Sequence, residues 1–319
     1  MELGDLEVVH EMNGSQRRIA TTLPEVGKLA VVTTSTSGIG FEIALALARA
    51  GADVIVSGKH SSEGHEASAK IRPLAPEALV RFEKLDLESL ASVKDFARRL
   101  GEVGRPIDLL INNACTLMLS KREITTDGFE RHLAMNFLGH FALTARLLPL
   151  LRAGKQPRVV SLTSTGRHHG EIHLEDLQLE NDYTPLKAYS QSKLAIMIFA
   201  LELQRQSDSR GWGLAGNSAQ PIGAHAAKIA NATEVTGSMG WYSRTLGFSP
   251  EQLRGGVLQA LLDPAEREVA QDPAAVKELV DLIGPAAPEA VDMRVLDAAM
   301  GRRLWDAATQ LTRVEWPEN

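Results

Sequence analysis

The sequence predicts one doubly wound α/β domain, a parallel sheet with helices on both faces, and three observations carry that prediction. Short runs of apolar and β-branched residues alternate with longer amphipathic stretches between about residue 29 and about residue 218. The 319 residues are 44% hydrophobic, enough for one large core. A Ser/Thr/Gly turn joins the first apolar run to the first amphipathic one, the order strand, tight turn, helix of a dinucleotide-binding βαβ unit.

Residues 1–24 have no clear period and read as an N-terminal extension, leaving 25–319 as the domain. The first strand is expected at 29–33, where Leu29 to Thr33 are apolar or β-branched, and Thr34 to Gly40 make the turn. From Phe41 to Arg49 the apolar residues recur at helical spacing, which predicts a helix over 39–50 closing near Gly51. Ala52 to Ser57 then supplies a second strand at 53–57. The same alternation places strands at 80–85, 107–111, 157–162 and 213–218, with helices between them, notably at 89–101, 127–151 and 187–209. Beyond Pro221 the pattern loosens over 223–256, which holds Met239, Trp241, Tyr242, Leu246 and Phe248. Helices follow at about 250–264 and 288–310.

Composition narrows the function classes. The formal charge of −6 comes with scattered Lys and Arg rather than a basic stripe, which argues against a nucleic-acid partner. No apolar run reaches the roughly 20 residues of a membrane span, and the first 25 residues carry acids and bases instead of a signal core, so a cytoplasmic protein is expected. The single cysteine, Cys115, excludes an intrachain disulfide and reads as a small buried residue at a strand end. His168, His169 and His173 read as polar turn residues rather than metal ligands, because no Asp, Glu or His stands at zinc-type spacing around them.

The chemistry concentrates in Ala188-Tyr-Ser-Gln-Ser-Lys193. Tyr189 and Lys193 stand one helical turn apart on one face. A free tyrosine titrates near pH 10, so a phenolate working near neutrality needs about 3 units of depression, or about 4 kcal/mol of preferential stabilisation. A lysine beside it can supply much of that. Upstream, the turn through Thr33, Ser35, Ser37, Gly38, Ile39 and Gly40 aims backbone N–H groups and a positive helix end at a phosphate.

Gly38-x-Gly40, Asp86-Leu87, Asn112-Asn113-Ala114, Asn136, Ser164 and Tyr189-x-x-x-Lys193 occur in one order across one α/β pattern. In this the chain resembles the short-chain dehydrogenase/reductases. Arg158 to Ser164, His168-His-Gly170, Leu174-Glu-Asp-Leu177 and Ala188 to Leu194 are similar to the retinol-dehydrogenase-like branch, as is Gly301 to Asp306 with Leu311-Thr312 near the C-terminus. The likeness covers about residues 25–315 and implies a single Rossmann-fold domain.

It also implies roles. Tyr189 is the acid–base group, Ser164 hydrogen-bonds the reacting oxygen, Lys193 lowers the Tyr189 pKa and holds the nicotinamide ribose, and Asn136 holds a water that links Lys193 to solvent. Cofactor contacts fall on Thr33, Ser35, Ser37, Gly38, Ile39, Gly40, Asp86, Leu87, Asn113, Ala114, Lys193 and Pro221, with Asp86 accepting from the adenine amino group. The second strand ends in Lys59 where a carboxylate would favour NAD, so NADP(H) is the expected cofactor. Residues 223–256 form the flap over the substrate in the family, and their Met and aromatic content predicts an apolar carbonyl or alcohol, polyketide-, terpenoid- or steroid-like, as in secondary metabolism. Family dimers pair the helices predicted here at 127–151 and 187–209, which makes a homodimer an open possibility.

Three cofactor-side glycines of the family pattern are absent: their positions hold Thr34, Cys115 and Ile222. Each adds a side chain where backbone passes close to the dinucleotide, and a β-branched residue is penalised if the turn needs positive φ. Two further classes therefore stay open, a non-redox acid–base enzyme (dehydratase, isomerase or cyclase) and a non-catalytic binding protein.

Overall fold

The computed structural model describes residues 25–116, 119–219 and 297–317. Six strands, β1 (Leu29–Val32), β2 (Asp53–Gly58), β3 (Val80–Lys84), β4 (Leu109–Asn112), β5 (Arg158–Leu162) and β6 (Ala215–Ala219), form one sheet in the order β3-β2-β1-β4-β5-β6. All five pairings are parallel. β1, β4 and β5 are buried along their whole length, as a sheet covered on both faces requires.

The period of two in each strand divides the core. Val31, Ile55, Leu110 and Val159 point to one face, and Ala30, Val32, Val54, Val56, Leu109, Ile111 and Val160 to the other. Helices α1 (Gly38–Arg49) and α2 (Ser61–Ile71) cover the second face. The first is covered by α3 (Leu90–Val103), α4 (Arg131–Arg152) and α5 (Pro185–Arg210). Caps set the ends: Ser89 and Thr184 accept from the amides of Ser92 and Lys187, and Gly104 and Gly211 terminate α3 and α5 in the left-handed region.

The sequence-based boundaries shift by a few residues at several places. The strand expected at 107–111 starts at Leu109 and runs to Asn112, and that expected at 213–218 lies at Ala215–Ala219. The helix expected from 127 begins at Arg131, because Ile124 and Glu130 pair as an antiparallel bridge. That helix also contains a π turn at Ala134–Leu138, with the Gly139 amide reaching back five residues to the Ala134 carbonyl. Among the described residues α4 alone is long and apolar enough to cross a membrane, but 78% of its apolar window is buried inside the domain, as expected of a core helix, so it is no clear membrane span.

A final helix, α6 (Ala298–Thr312), packs on α5, where Trp305 stacks on Phe199 at 5.9 Å and meets Phe141 edge-on at 5.1 Å. Trp316 adds to the same cluster, so the C-terminal segment covers part of the α4 and α5 surface. The N-terminal extension, the flap, Pro221, Ile222 and the helix expected at 250–264 lie outside the described residues, as does the first part of the helix expected at 288–310.

Candidate active site

The sheet order reverses at β1, whose two neighbours leave by opposite routes, and the crevice outside the C-terminal ends of β1 and β4 is where a dinucleotide binds in such sheets. The register places Val32 level with both Val56 and Ile111, so the turns after β1, β2 and β4 open side by side. Ser35 ties them: its hydroxyl donates to the Val32 carbonyl at 2.7 Å and accepts from the Ser57 amide at 3.0 Å. The Asn113 side-chain amide donates to the Thr33 and Thr34 carbonyls at 2.8 and 3.0 Å.

These residues fit a dinucleotide. A Cβ at Gly40 would lie 2.4 Å from the Thr34 carbonyl oxygen and 2.5 Å from the Asn113 amide nitrogen, so only glycine lets the turn close this tightly. Gly38 has φ +58° and open space around it, and Ser37 leaves the first-turn amides of α1 without a side-chain cap, as a helix end that is to receive a phosphate requires. Thr34 departs from the pattern at a cost: its φ is +47°, left-handed backbone that a β-branched residue enters under strain.

Lys59 is not free. Its ammonium pairs with Asp86 at 2.9 Å and Glu88 at 3.3 Å, and the Asp86 contact raises the lysine pKa above its ordinary value. Glu88 also holds Arg131, which binds Glu123 at 2.6 Å. Asp86, expected to receive an adenine amino group, thus has one oxygen on Lys59 and the other on the Glu88 amide at 3.0 Å. Leu87 is buried, with its carbonyl against Gly139 of α4.

On the other side of the crevice, Tyr189 rises from the second turn of α5 and is 4% exposed. Its hydroxyl reaches both Ser164, two residues beyond β5, and Cys115, three residues beyond β4. The Thr163 hydroxyl donates to the Lys193 carbonyl at 2.9 Å and fixes α5 against the end of β5. Burial, with a smaller contribution from Cys115, pushes the Tyr189 pKa well above that of a free phenol, against the pull of Ser164.

The Lys193 ammonium, one turn after Tyr189 on the same helix, donates to the Leu162 carbonyl at the end of β5 at 3.1 Å. Cys115, just beyond the end of β4 as expected, is part-buried rather than buried, and its thiol lies beside the Tyr189 hydroxyl.

Asn136 sits within the π turn of α4, a local distortion that is frequent at functional sites. Its side-chain oxygen accepts from the Thr116 amide at 2.7 Å, and its nitrogen donates to the Ser192 hydroxyl at 2.9 Å. The amide thus clamps the segment after β4 to the helix that carries Tyr189. His132, one turn before Asn136, is fully buried, binds Glu130 through Nδ1 at 2.9 Å, and meets the Tyr189 ring edge-on at 6.3 Å. His132, Asn136, His140 and Thr144 recur every four residues and none is more than 1% exposed. Sequence reasoning singled out only Asn136. The signal was present: four polar residues at i, i+4, i+8 and i+12 in an otherwise apolar helix mark one face that must find hydrogen-bond partners.

A family model described as short chain dehydrogenase matches residues 28–232. The chain belongs to the short-chain dehydrogenase family. Polyprenol dehydrogenase from Mus musculus is 39% identical over 91% of this chain and 85% of its own length. Retinol dehydrogenase 13 from Homo sapiens is 34% identical over 93% of this chain and 87% of its own length. Among solved structures, an uncharacterised protein from Mycobacterium paratuberculosis superposes with a TM-score of 0.72 at 31% identity, over 94% of this chain and 98% of that one. This short-chain dehydrogenase is therefore an oxidoreductase on a single Rossmann-type domain, in the retinol-dehydrogenase-like part of the family.

Proposed function

We propose that this enzyme is an NADP(H)-dependent oxidoreductase that interconverts an apolar carbonyl compound and its alcohol, with Tyr189 as the acid–base residue. The observation that carries the reading is the buried Tyr189 hydroxyl within reach of Ser164, beside the crevice at the switch point of the sheet. A carbonyl oxygen placed between these two hydroxyls would receive a proton from Tyr189 and a hydrogen bond from Ser164 as negative charge builds on it. The nicotinamide, when bound, supplies or accepts the hydride. Burial keeps the phenol protonated, the form that carbonyl reduction uses. Thr33, Ser35, Ser37, Gly38, Ile39, Gly40, Asn113, Ala114 and Lys193 would hold the dinucleotide, and Asn136 would keep the Thr116 segment and α5 in register.

For the cofactor, Lys59 favours a 2′-phosphate. Its side chain is 52% exposed, against 20% for Asp86 and 14% for Glu88, so the ammonium keeps an open side on which a 2′-phosphate dianion would compete with the two carboxylates. For the substrate, the apolar content of 223–256 and the names of the two relatives point to a long isoprenoid alcohol or the matching aldehyde. Thr34 and Cys115 sustain a second reading, a non-redox acid–base enzyme on the same fold. Incubating the enzyme with NADPH and a panel of isoprenoid aldehydes, with nicotinamide absorbance followed, separates the two. Loss of absorbance that depends on both substrate and enzyme supports the redox reading; conversion of substrate at constant absorbance refutes it.

A further inference from the structure

His140 lies where two halves of the site meet, and its hydrogen bonds determine its protonation. The Thr33 hydroxyl accepts from the Asn113 and Ala114 amides, both at 2.9 Å, which fills its two acceptor positions. Its one proton is left for an acceptor, and the His140 Nε2 stands nearest at 3.0 Å, with the Ile111 carbonyl at 3.2 Å. Nε2 is therefore unprotonated. The ring proton sits on Nδ1, which donates to the Asn136 carbonyl at 3.3 Å. A doubly protonated ring would aim an N–H at a hydroxyl with no acceptor position left. Complete burial and the nearby Lys193 charge disfavour that cation too.

The connections run to both functions of the site. Through Thr33, the ring fixes the Asn113 and Ala114 amides at the crevice; through the Asn136 carbonyl, it fixes the π turn whose side chain clamps Thr116 and Ser192. Thr144 anchors the next turn by donating to the His140 carbonyl at 2.8 Å.

We propose that His140, as the neutral Nδ1–H tautomer, is a positioning residue that locks the cofactor side of the crevice to the helix carrying the acid–base machinery. The proposal rests on the reading of the crevice as a cofactor site, and its test begins without cofactor. In a 15N-labelled protein, His140 should show the Nδ1–H tautomer unchanged from about pH 8 to about pH 5, a range over which an ordinary histidine titrates. His140→Leu should shift the Asn113 and Ala114 backbone amides and the Asn136 side-chain amide together, while His140→Gln, which keeps an acceptor near the Nε2 position, should restore the first two.

In the cofactor arm, His140→Leu should weaken NADPH, followed by tryptophan fluorescence, by at least about tenfold and lower kcat, with most of the affinity recovered in His140→Gln. Coupled amide shifts in a protein that transfers no hydride would uphold the positioning role and refute the redox reading. A His140 that titrates in that range, or amides and NADPH affinity that ignore His140→Leu, would overturn the proposal. A purely structural role would lower the melting temperature of both variants and separate neither from the other in NADPH affinity.

Discussion

The two walls of the crevice are built differently. On the cofactor wall, Thr34 stands at positive φ and the half-exposed Lys59 shares its charge with two part-buried carboxylates. On the catalytic wall, His132, Asn136, His140 and Thr144 are buried with their polar atoms engaged. The first wall carries strain of about 1–2 kcal/mol at one residue and exposed pairs worth less. The second is a network in which an unmatched polar group would cost about 1–3 kcal/mol. A change on the cofactor wall should therefore tune affinity, whereas one on the catalytic wall should remove function or stability.

The largest effect is expected on the catalytic wall. Tyr189→Phe deletes one hydroxyl and should lower turnover by about 10²–10⁴ with the circular dichroism spectrum unchanged. Turnover above about a tenth of the wild type would remove Tyr189 from the acid–base role.

The next is the acid response of His140, whose pKa falls from 6.5 to about 3 on burial. The unfolded chain takes up the proton first, so stability is intact above about pH 6.5 and declines as the pH falls toward 3, by on the order of a few kcal/mol. Denaturant melts at pH 7 and pH 4 should show His140→Gln losing less than the wild type over that interval. Equal losses would mean that His140 is not the titrating group.

On the cofactor wall, Thr34→Gly should relieve the left-handed strain and tighten NADPH by about fivefold, roughly 1 kcal/mol, with turnover held or raised. If binding weakens instead, the threonine side chain belongs to the site, as the non-redox reading holds. The smallest effect is expected at Lys59: Lys59→Asp should shift the NADPH-to-NADH affinity ratio toward NADH, and the shift should shrink at high salt. An unchanged ratio would take Lys59 out of cofactor choice.

The same contrast explains what was legible in the sequence. The fold was readable because the strand signals are local: a buried parallel sheet needs unbroken apolar runs, and Leu29 to Val32 and Leu109 to Ile111 are such runs. Tyr189, Lys193 and Ser164 stood out through their motifs, and the structure brings the Tyr189 and Ser164 hydroxyls together. Thr34 was suspect because a β-branched residue stood in a turn, and its positive φ bears that out. The direction of the Lys193 side chain was not readable, because spacing places it one turn from Tyr189 without choosing between the phenol and the Leu162 carbonyl. His140 was hidden for the same reason: its partners Thr33 and Asn136 lie 107 and four residues away, and only the packing of α4 on the ends of β1 and β4 joins them.

The central claim, hydride transfer at a carbonyl polarised by Tyr189 and Ser164, is tested most directly by isotope. NADPH carrying deuterium on the transferable position of the nicotinamide would be incubated with the enzyme and an isoprenoid aldehyde, and the product examined by mass spectrometry. An alcohol carrying one deuterium on its carbinol carbon, formed by the wild type and not by Tyr189→Phe, is the predicted result. A product free of deuterium, formed while the nicotinamide stays reduced, would contradict the claim and assign the site to non-redox acid–base chemistry.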